Sequence, residues 1–268
     1  MDANLRSRVA TAAVGIPLLV ALVAWSPTWL FTLFFLLITA AALREYFSIA
    51  FPGRLFEQCL GMIFGLVLAV IMMVVDPQFM PLALSAVFLL IFAVYPFLNG
   101  HLDARLQRLL LTLLGGIYIG ILVPHWVTLF RGPDGRAWVF LVFLVIVCGD
   151  TAAYFVGRRF GRRKLAPEIS PGKTIAGAWG YVGGGSLVGL IGSWCLFDGF
   201  YWLEALLLSI ILTLLGQVGD LFESWIKRVF SVKDSGVLFP GHGGVLDRLD
   251  SLIFPAVFTT IYVRYFHS

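Results

Sequence analysis

The sequence predicts an all-α fold: a polytopic integral membrane protein of about nine transmembrane helices with its N-terminus in the cytoplasm. Three observations predict it. Hydrophobic residues make up 60% of the 268-residue chain and charged residues 13%, whereas a soluble domain is roughly half apolar and a quarter charged. A water-soluble fold of this size would have to be apolar on its outside as well. The apolar residues also fall in long continuous runs, such as Trp25 to Leu43 and Leu109 to Phe130. A membrane barrel would instead show short segments of alternating polarity. The third observation is the placement of charge, which sorts by side of the membrane.

Nine runs approach the ~20 apolar residues that a span needs: roughly 9–25, 28–43, 58–75, 79–98, 109–130, 137–156, 177–197, 200–218 and 251–267. Pro27 makes the first two a tight hairpin. Arg6 and Arg8 precede the first run, as in a signal peptide. The second run follows at once with no clear cleavage site, so a retained first helix is expected. With the N-terminus inside, 16 of the 19 Lys and Arg residues fall on the cytoplasmic side, leaving Arg131, Arg136 and Arg264 outside. That is the bias of the positive-inside rule, and an even number of spans or the reverse orientation spoils it.

The chain divides into an N-terminal hydrophobic region, 1–140, and a region 141–268 that carries two long polar segments, 157–176 and 219–250, both cytoplasmic. No internal repeat is visible, against the inverted repeats of many transporters. Cys59, Cys148 and Cys195 stand singly in apolar surroundings, without metal spacing, and read as small buried hydrophobes.

The polar segments concentrate the residues that can carry chemistry. Asp220, Glu223, Ser224 and Lys227 are spaced to share one helix face, at the end of the eighth span. Lys233-Asp234 and a glycine-rich turn, Pro240-Gly241-His242-Gly243-Gly244, lead to Asp247, Arg248 and Asp250 before the ninth span. Carboxylates from two helix ends suit Mg²⁺, which takes hard oxygen ligands and leaves places for waters and substrate phosphates. Lys227, Arg228, Lys233 and Arg248 suit phosphate oxygens. The glycine turn allows close backbone approach and an anion-binding nest. Together these point to phosphoryl or nucleotidyl transfer.

Each residue also has a plainer reading. Glu223 and Lys227 have the spacing of an intrahelical salt bridge. Arg158, Arg159, Arg162, Arg163 and Lys164 serve equally as an orientation signal or a surface for anionic lipid. His242 suits a proton-transfer group, a phosphate donor or a turn residue. Asp150 stands inside an apolar run, where an ionisable residue is costly and function is the default, with pairing to a neighbouring Arg as the alternative. Lys173 and Thr174 could meet phosphates, but the spacing of a P-loop is absent. The glycines from Gly177 to Gly185 suit close helix packing.

The runs Ser224 to Asp234 and Pro240 to Asp250 resemble the C-terminal signature of the phosphatidate cytidylyltransferases (CDP-diacylglycerol synthases). Asp150 to Tyr154 and Ser170 to Thr174 are also similar to that family, and the likeness covers roughly residues 145–255. It implies transfer of CMP from CTP to phosphatidate, giving CDP-diacylglycerol and pyrophosphate, with Mg²⁺ and room for a second cation. It further implies an inner-membrane enzyme working at the cytoplasmic face of the lipid bilayer, a homodimer, and no nucleic-acid partner.

The catalytic residues implied are Asp220, Lys227, Arg228, Lys233, Asp247, Arg248 and Asp250. Substrate contacts fall to Ser170, Lys173, Thr174, Ser224, His242, Gly243 and Gly244. Metal ligation falls to Asp220 and Asp247, supported by Asp250, Glu223 and Asp150. Two positions depart from the family pattern: Ala176 stands where the family usually has an acidic residue, and Gly172 where a second Lys is common. Glu168 could supply the missing carboxylate in space. Altered substrate preference and reduced activity are the other outcomes, and the rival classes are a transporter centred on Asp150 and an inactive lipid-binding scaffold.

Overall fold

The computed structural model describes Gly15 and residues 17–199, 201–236 and 243–267. Seven helices among them are long and apolar enough to cross a membrane: Thr28–Ala50, Leu55–Val74, Met80–Phe97, Leu102–Arg131, Gly135–Phe160, Ile175–Leu196 and Trp202–Val229. A multi-pass membrane fold follows. The expected ninth span is a helix, Leu246–Phe266, but Asp247, Arg248, Asp250 and Arg264 leave it less apolar than the seven. Of the expected first span, residues 17–25 are helical, and 9–14 and 16 lie outside the described residues, as do Arg6 and Arg8.

The chain forms two compact units. The first comprises Met1–Thr128 with Asp234–Leu246. Its helices are α1 (Thr28–Ala50), α2 (Leu55–Val74), α3 (Met80–Val94) and α4 (Leu102–Gly115). Buried Phe31, Phe35, Phe47, Phe64, Leu68 and Tyr95 form its interior. After α4 the chain underwinds into a π-helical turn, Gly116–Ile121, where Gly120 packs on the backbone of Gly65. A Cβ there would lie 2.5 Å from the Gly65 carbonyl oxygen, so only glycine admits the crossing. α5 (His125–Arg131) follows and leads out of the first unit. Arg108 on α4 reaches Glu57 on α2 at 2.7 Å, giving a buried charge the partner it needs.

The second unit comprises Leu129–Lys233 with Asp247–Ser268. It holds α6 (Gly135–Phe160), α7 (Ile175–Leu196), α8 (Trp202–Val229) and most of α9 (Leu246–Phe266). Between α6 and α7 lies a departure from an all-α fold, a two-stranded antiparallel hairpin. Its strands are β1 (Lys164–Ala166) and β2 (Ser170–Thr174), with Lys164 opposite Thr174 and Ala166 opposite Ser170. Strands this short leave no readable alternation. The expected close packing at the α7 glycines is present at Gly180, whose Cβ would lie 2.7 Å from that of Val156 on α6, and at Gly184 against Ala152. Gly183 faces open space.

Candidate active site

Within the second unit, the end of α6, the hairpin, the start of α7 and the middle of α8 enclose a cavity of about 400 Å³. Asp150, Tyr154 and Arg158 come from α6, Lys164, Lys173 and Thr174 from the hairpin, Tyr181 from α7, and Gln217 and Asp220 from α8. Local chemistry sets this arrangement. Thr174 has extended backbone and its Oγ1 accepts the N–H of Gly177 at 3.1 Å. It therefore ends the hairpin and caps α7 in one step, so its neighbour Lys173 projects beside the helix start. Lys173 Nζ meets Asp220 Oδ2 at 2.6 Å. The other oxygen of Asp220 accepts from Ser224 Oγ, one turn on, at 3.3 Å.

The carboxylates of Asp150 and Asp250 interact electrostatically with that of Asp220 and with each other. The charges of Lys173 and Arg248 also reach Asp150. α9 comes close enough for this because residue 219 is glycine: a Cβ there would run into the carbonyl oxygen of Asp250. Two turns along α8, Lys227 Nζ lies 2.5 Å from Glu223 Oε2 and 2.6 Å from Asp247 Oδ1. The Glu223 side chain is fully buried, and its Oε1 has no hydrogen-bond partner among the described residues. Lys227 thus balances two carboxylates from two helices, as burial of a charge requires.

The sequence-predicted residues separate into groups. Asp150, Lys173, Thr174 and Asp220 line the cavity, and Ser224 holds Asp220. Glu223, Lys227 and Asp247 form the ion cluster, and Asp250 sits against α8 at Gly219. Arg228 Nε donates to the Ile169 carbonyl at 3.1 Å and its Nη1 to Val232 at 3.3 Å, tying the hairpin turn to the end of α8. Lys233 and Arg248 are exposed, and Ser170 is half-buried at the start of β2. Gly243 adopts a left-handed conformation, φ 81°. Gly244 is buried against Glu45 and Ser235, all three in the first unit. His242, with Pro240 and Gly241, lies outside the described residues. Ala176 stands in the first turn of α7, and neither it nor the exposed Glu168 is on the cavity wall.

Sequence reasoning missed Tyr181, Gln217 and Glu45. Tyr181 is buried in the cavity wall, and its hydroxyl has no partner among the described residues. Glu45 on α1 accepts hydrogen bonds from the segment just before α9. No local pattern marks Glu45, which stands beside Arg44 just past the apolar run 28–43.

This is a multi-pass membrane protein with a cavity lined by aspartates from two helices, α6 and α8, and by two lysines of the hairpin. The chain belongs to the cytidylyltransferase family, which matches it over residues 6–266. It is similar to the phosphatidate cytidylyltransferase of Synechocystis, 32% identical over 283 residues and 93% of each chain. It is also similar to those of Bacillus subtilis, 41% identical over 148 residues and 53% of each chain, and Brucella suis, 46% identical over 136 residues and 47% of each chain. The chain spans about half the length of the latter two relatives.

Proposed function

We propose that the protein transfers CMP from CTP to phosphatidate, giving CDP-diacylglycerol and pyrophosphate for phospholipid synthesis. The observation that carries this reading is the Lys173–Asp220 pair, with Asp150 beside it, in a cavity of a cytidylyltransferase-family chain. An oxygen of the phosphatidate phosphate attacks the α-phosphorus of CTP. The bond from that phosphorus to the oxygen bridging to the β-phosphate breaks, and pyrophosphate leaves with the electron pair. The lipid phosphate is itself the nucleophile, so the protein's task is to position and to neutralise charge. Lys173 and Arg248 face the phosphates. Lys227 and Arg228 hold Asp247 and the hairpin in place, and the acyl chains stay in the bilayer.

Mg²⁺ dependence belongs to the same reading. Among the described residues no three His, Cys, Asp or Glu side chains form a group able to hold a metal unaided. Mg²⁺ is commonly held by only one or two carboxylates, with waters and substrate phosphates completing its shell. The hard oxygen donors here fit that pattern. Asp220 and Asp247 would hold the ion, with Asp250, Glu223 and Asp150 supporting them. Bound Mg²⁺ neutralises triphosphate charge.

The reading further places the N-terminus and the cavity on the cytoplasmic side of the inner membrane, with nine spans, 16 of the 19 Lys and Arg inside and a homodimer. The test is pyrophosphate release by purified, detergent-solubilised protein given CTP, phosphatidate and Mg²⁺, with EDTA, ATP and Asp247→Asn controls. CTP-specific release that EDTA and the substitution abolish is the expected result. A folded protein that releases none in several lipids overturns it.

A further inference from the structure

Of the 23 residues of α1, only Arg44 and Glu45 are charged. The Glu45 carboxylate meets both described ends of the segment that leads into α9, all within the first unit. Oε2 accepts from Ser235 Oγ at 3.0 Å and from the Leu246 N–H at 2.9 Å, and Oε1 accepts from the Val245 N–H at 2.9 Å. Two glycines make room for it. A Cβ on Gly236 would lie 2.5 Å from Oε1, and one on Gly244 would run into Oε2. Gly244, the last glycine of the run read from the sequence as an anion nest, thus adjoins an anion of the protein's own.

Leu246 opens α9. The first N–H groups of a helix have no partner within it, and negative charge there is favourable. The Glu45 carboxylate supplies both, in place of a capping side chain from the segment itself. Asp247 follows Leu246 directly, then Arg248 and Asp250. Were the chain to slip by one residue through the helix start, each of these would be presented rotated by about 100°.

We propose, on the reading of the reaction given above, that Glu45 is a positioning residue: it joins the two ends of the 235–246 segment and sets the start of α9, and so the register of Asp247, Arg248 and Asp250. It touches no substrate. Its removal should therefore lower kcat and leave the KM for CTP nearly unchanged.

The experiment compares Glu45→Gln, Glu45→Asp and Glu45→Ala with wild-type full-length protein in detergent. Steady-state pyrophosphate release and backbone hydrogen exchange over 243–250 are both read. Glu45→Ala should lose roughly 10- to 100-fold in kcat, the scale of a small misplacement, with KM for CTP within about threefold, the mark of an interaction realised in the transition state. Glu45→Gln should lose less, because it keeps one acceptor oxygen, and Glu45→Asp should recover part of the loss. The Val245 and Leu246 amides should exchange at least about tenfold faster in Glu45→Ala, as local opening predicts.

Gly244→Ala must displace the same carboxylate, so it should show the same kcat loss and add little to Glu45→Ala. It also keeps the test decisive if Glu45→Ala does not fold. Unchanged amide exchange, a kcat within about twofold of wild type in Glu45→Ala, or additive losses in the double variant would overturn the proposal. Were the wild type itself unable to release pyrophosphate from CTP, the reaction would fall and the catalytic role with it. The exchange measurement would still decide whether Glu45 holds the segment.

Discussion

Lys173, near the end of the hairpin, and Asp220, on α8, meet at 2.6 Å with about a quarter of each side chain exposed. They come from the two polar segments that the sequence marked as the only long ones, and they join these segments in one cavity. An ion pair this open contributes about 1 kcal/mol or less to stability. The position is better explained by what else the cavity can admit: a phosphate group competes well for a partly exposed ammonium. Lys173→Met should accordingly leave thermal unfolding almost unchanged and lower kcat/KM for CTP about 100-fold, the scale of one lost charge-stabilising donor. Lys173→Arg should retain part of the activity. Turnover of Lys173→Met within twofold of wild type would remove the lysine from the chemistry.

How much of this was legible depends on how local the pattern is. Asp220, Glu223, Ser224 and Lys227 were read as one helix face, and Ser224–Asp220 and Glu223–Lys227 do pair across one turn. Such spacing is set by helix geometry alone. The long apolar runs likewise marked the helices. The hairpin was not legible, because its strands have three and five residues. Glu45 was missed for a different reason. Its partners are some 190 residues or more away in sequence, and no periodicity encodes a contact of that kind. The turn at Gly243 and Gly244 looked like a site for a ligand anion. Sequence alone does not reveal that a carboxylate of the same chain lies against it.

The closeness of α8 and α9 at Gly219 is open to a paired test. A Cβ at Gly219 has nowhere to go, since the obstacle is the backbone oxygen of Asp250, whereas one at Gly183 meets nothing within 4 Å. Gly219→Ala should cost about 1–3 kcal/mol through overpacking. It should also depress turnover, because it moves Asp250 relative to Asp220. Gly183→Ala, on exposed helix, should be neutral or stabilise by up to about 1 kcal/mol. Denaturation midpoints in detergent, read beside pyrophosphate release, check both. Equal effects from the two substitutions would mean that the helix contact is not what sets the site.

The orientation proposed from the arginine and lysine count can be read directly. In a background lacking Cys59, Cys148 and Cys195, Glu168→Cys places a thiol in the exposed hairpin turn, and Pro133→Cys places one in the exposed connection before α6. A membrane-impermeant maleimide should label Glu168→Cys only in inverted vesicles and Pro133→Cys only in right-side-out ones. The reverse pattern would put the cavity on the side without CTP and defeat the proposed reaction.

Lys227 offers the sharpest separation of stability from catalysis. Its side chain is 13% exposed, and it faces a Glu223 side chain that is 0% exposed and an Asp247 side chain that is 10% exposed. Lys227→Met would leave those two carboxylates buried without their cation. Breaking a buried pair by removing one partner costs about 3–5 kcal/mol, so the variant should unfold at markedly lower temperature and be inactive. The double variant Glu223→Gln/Lys227→Met removes one of the stranded charges as well and should regain much of that stability. If the lysine only balances charge, activity should return with it. If the lysine also orients Asp247, whose Oδ1 it holds at 2.6 Å, the double variant should be stable and remain about 100-fold slow. A single variant as stable as wild type would contradict the ion cluster altogether, because Lys227 is the cation paired with the fully buried Glu223 side chain.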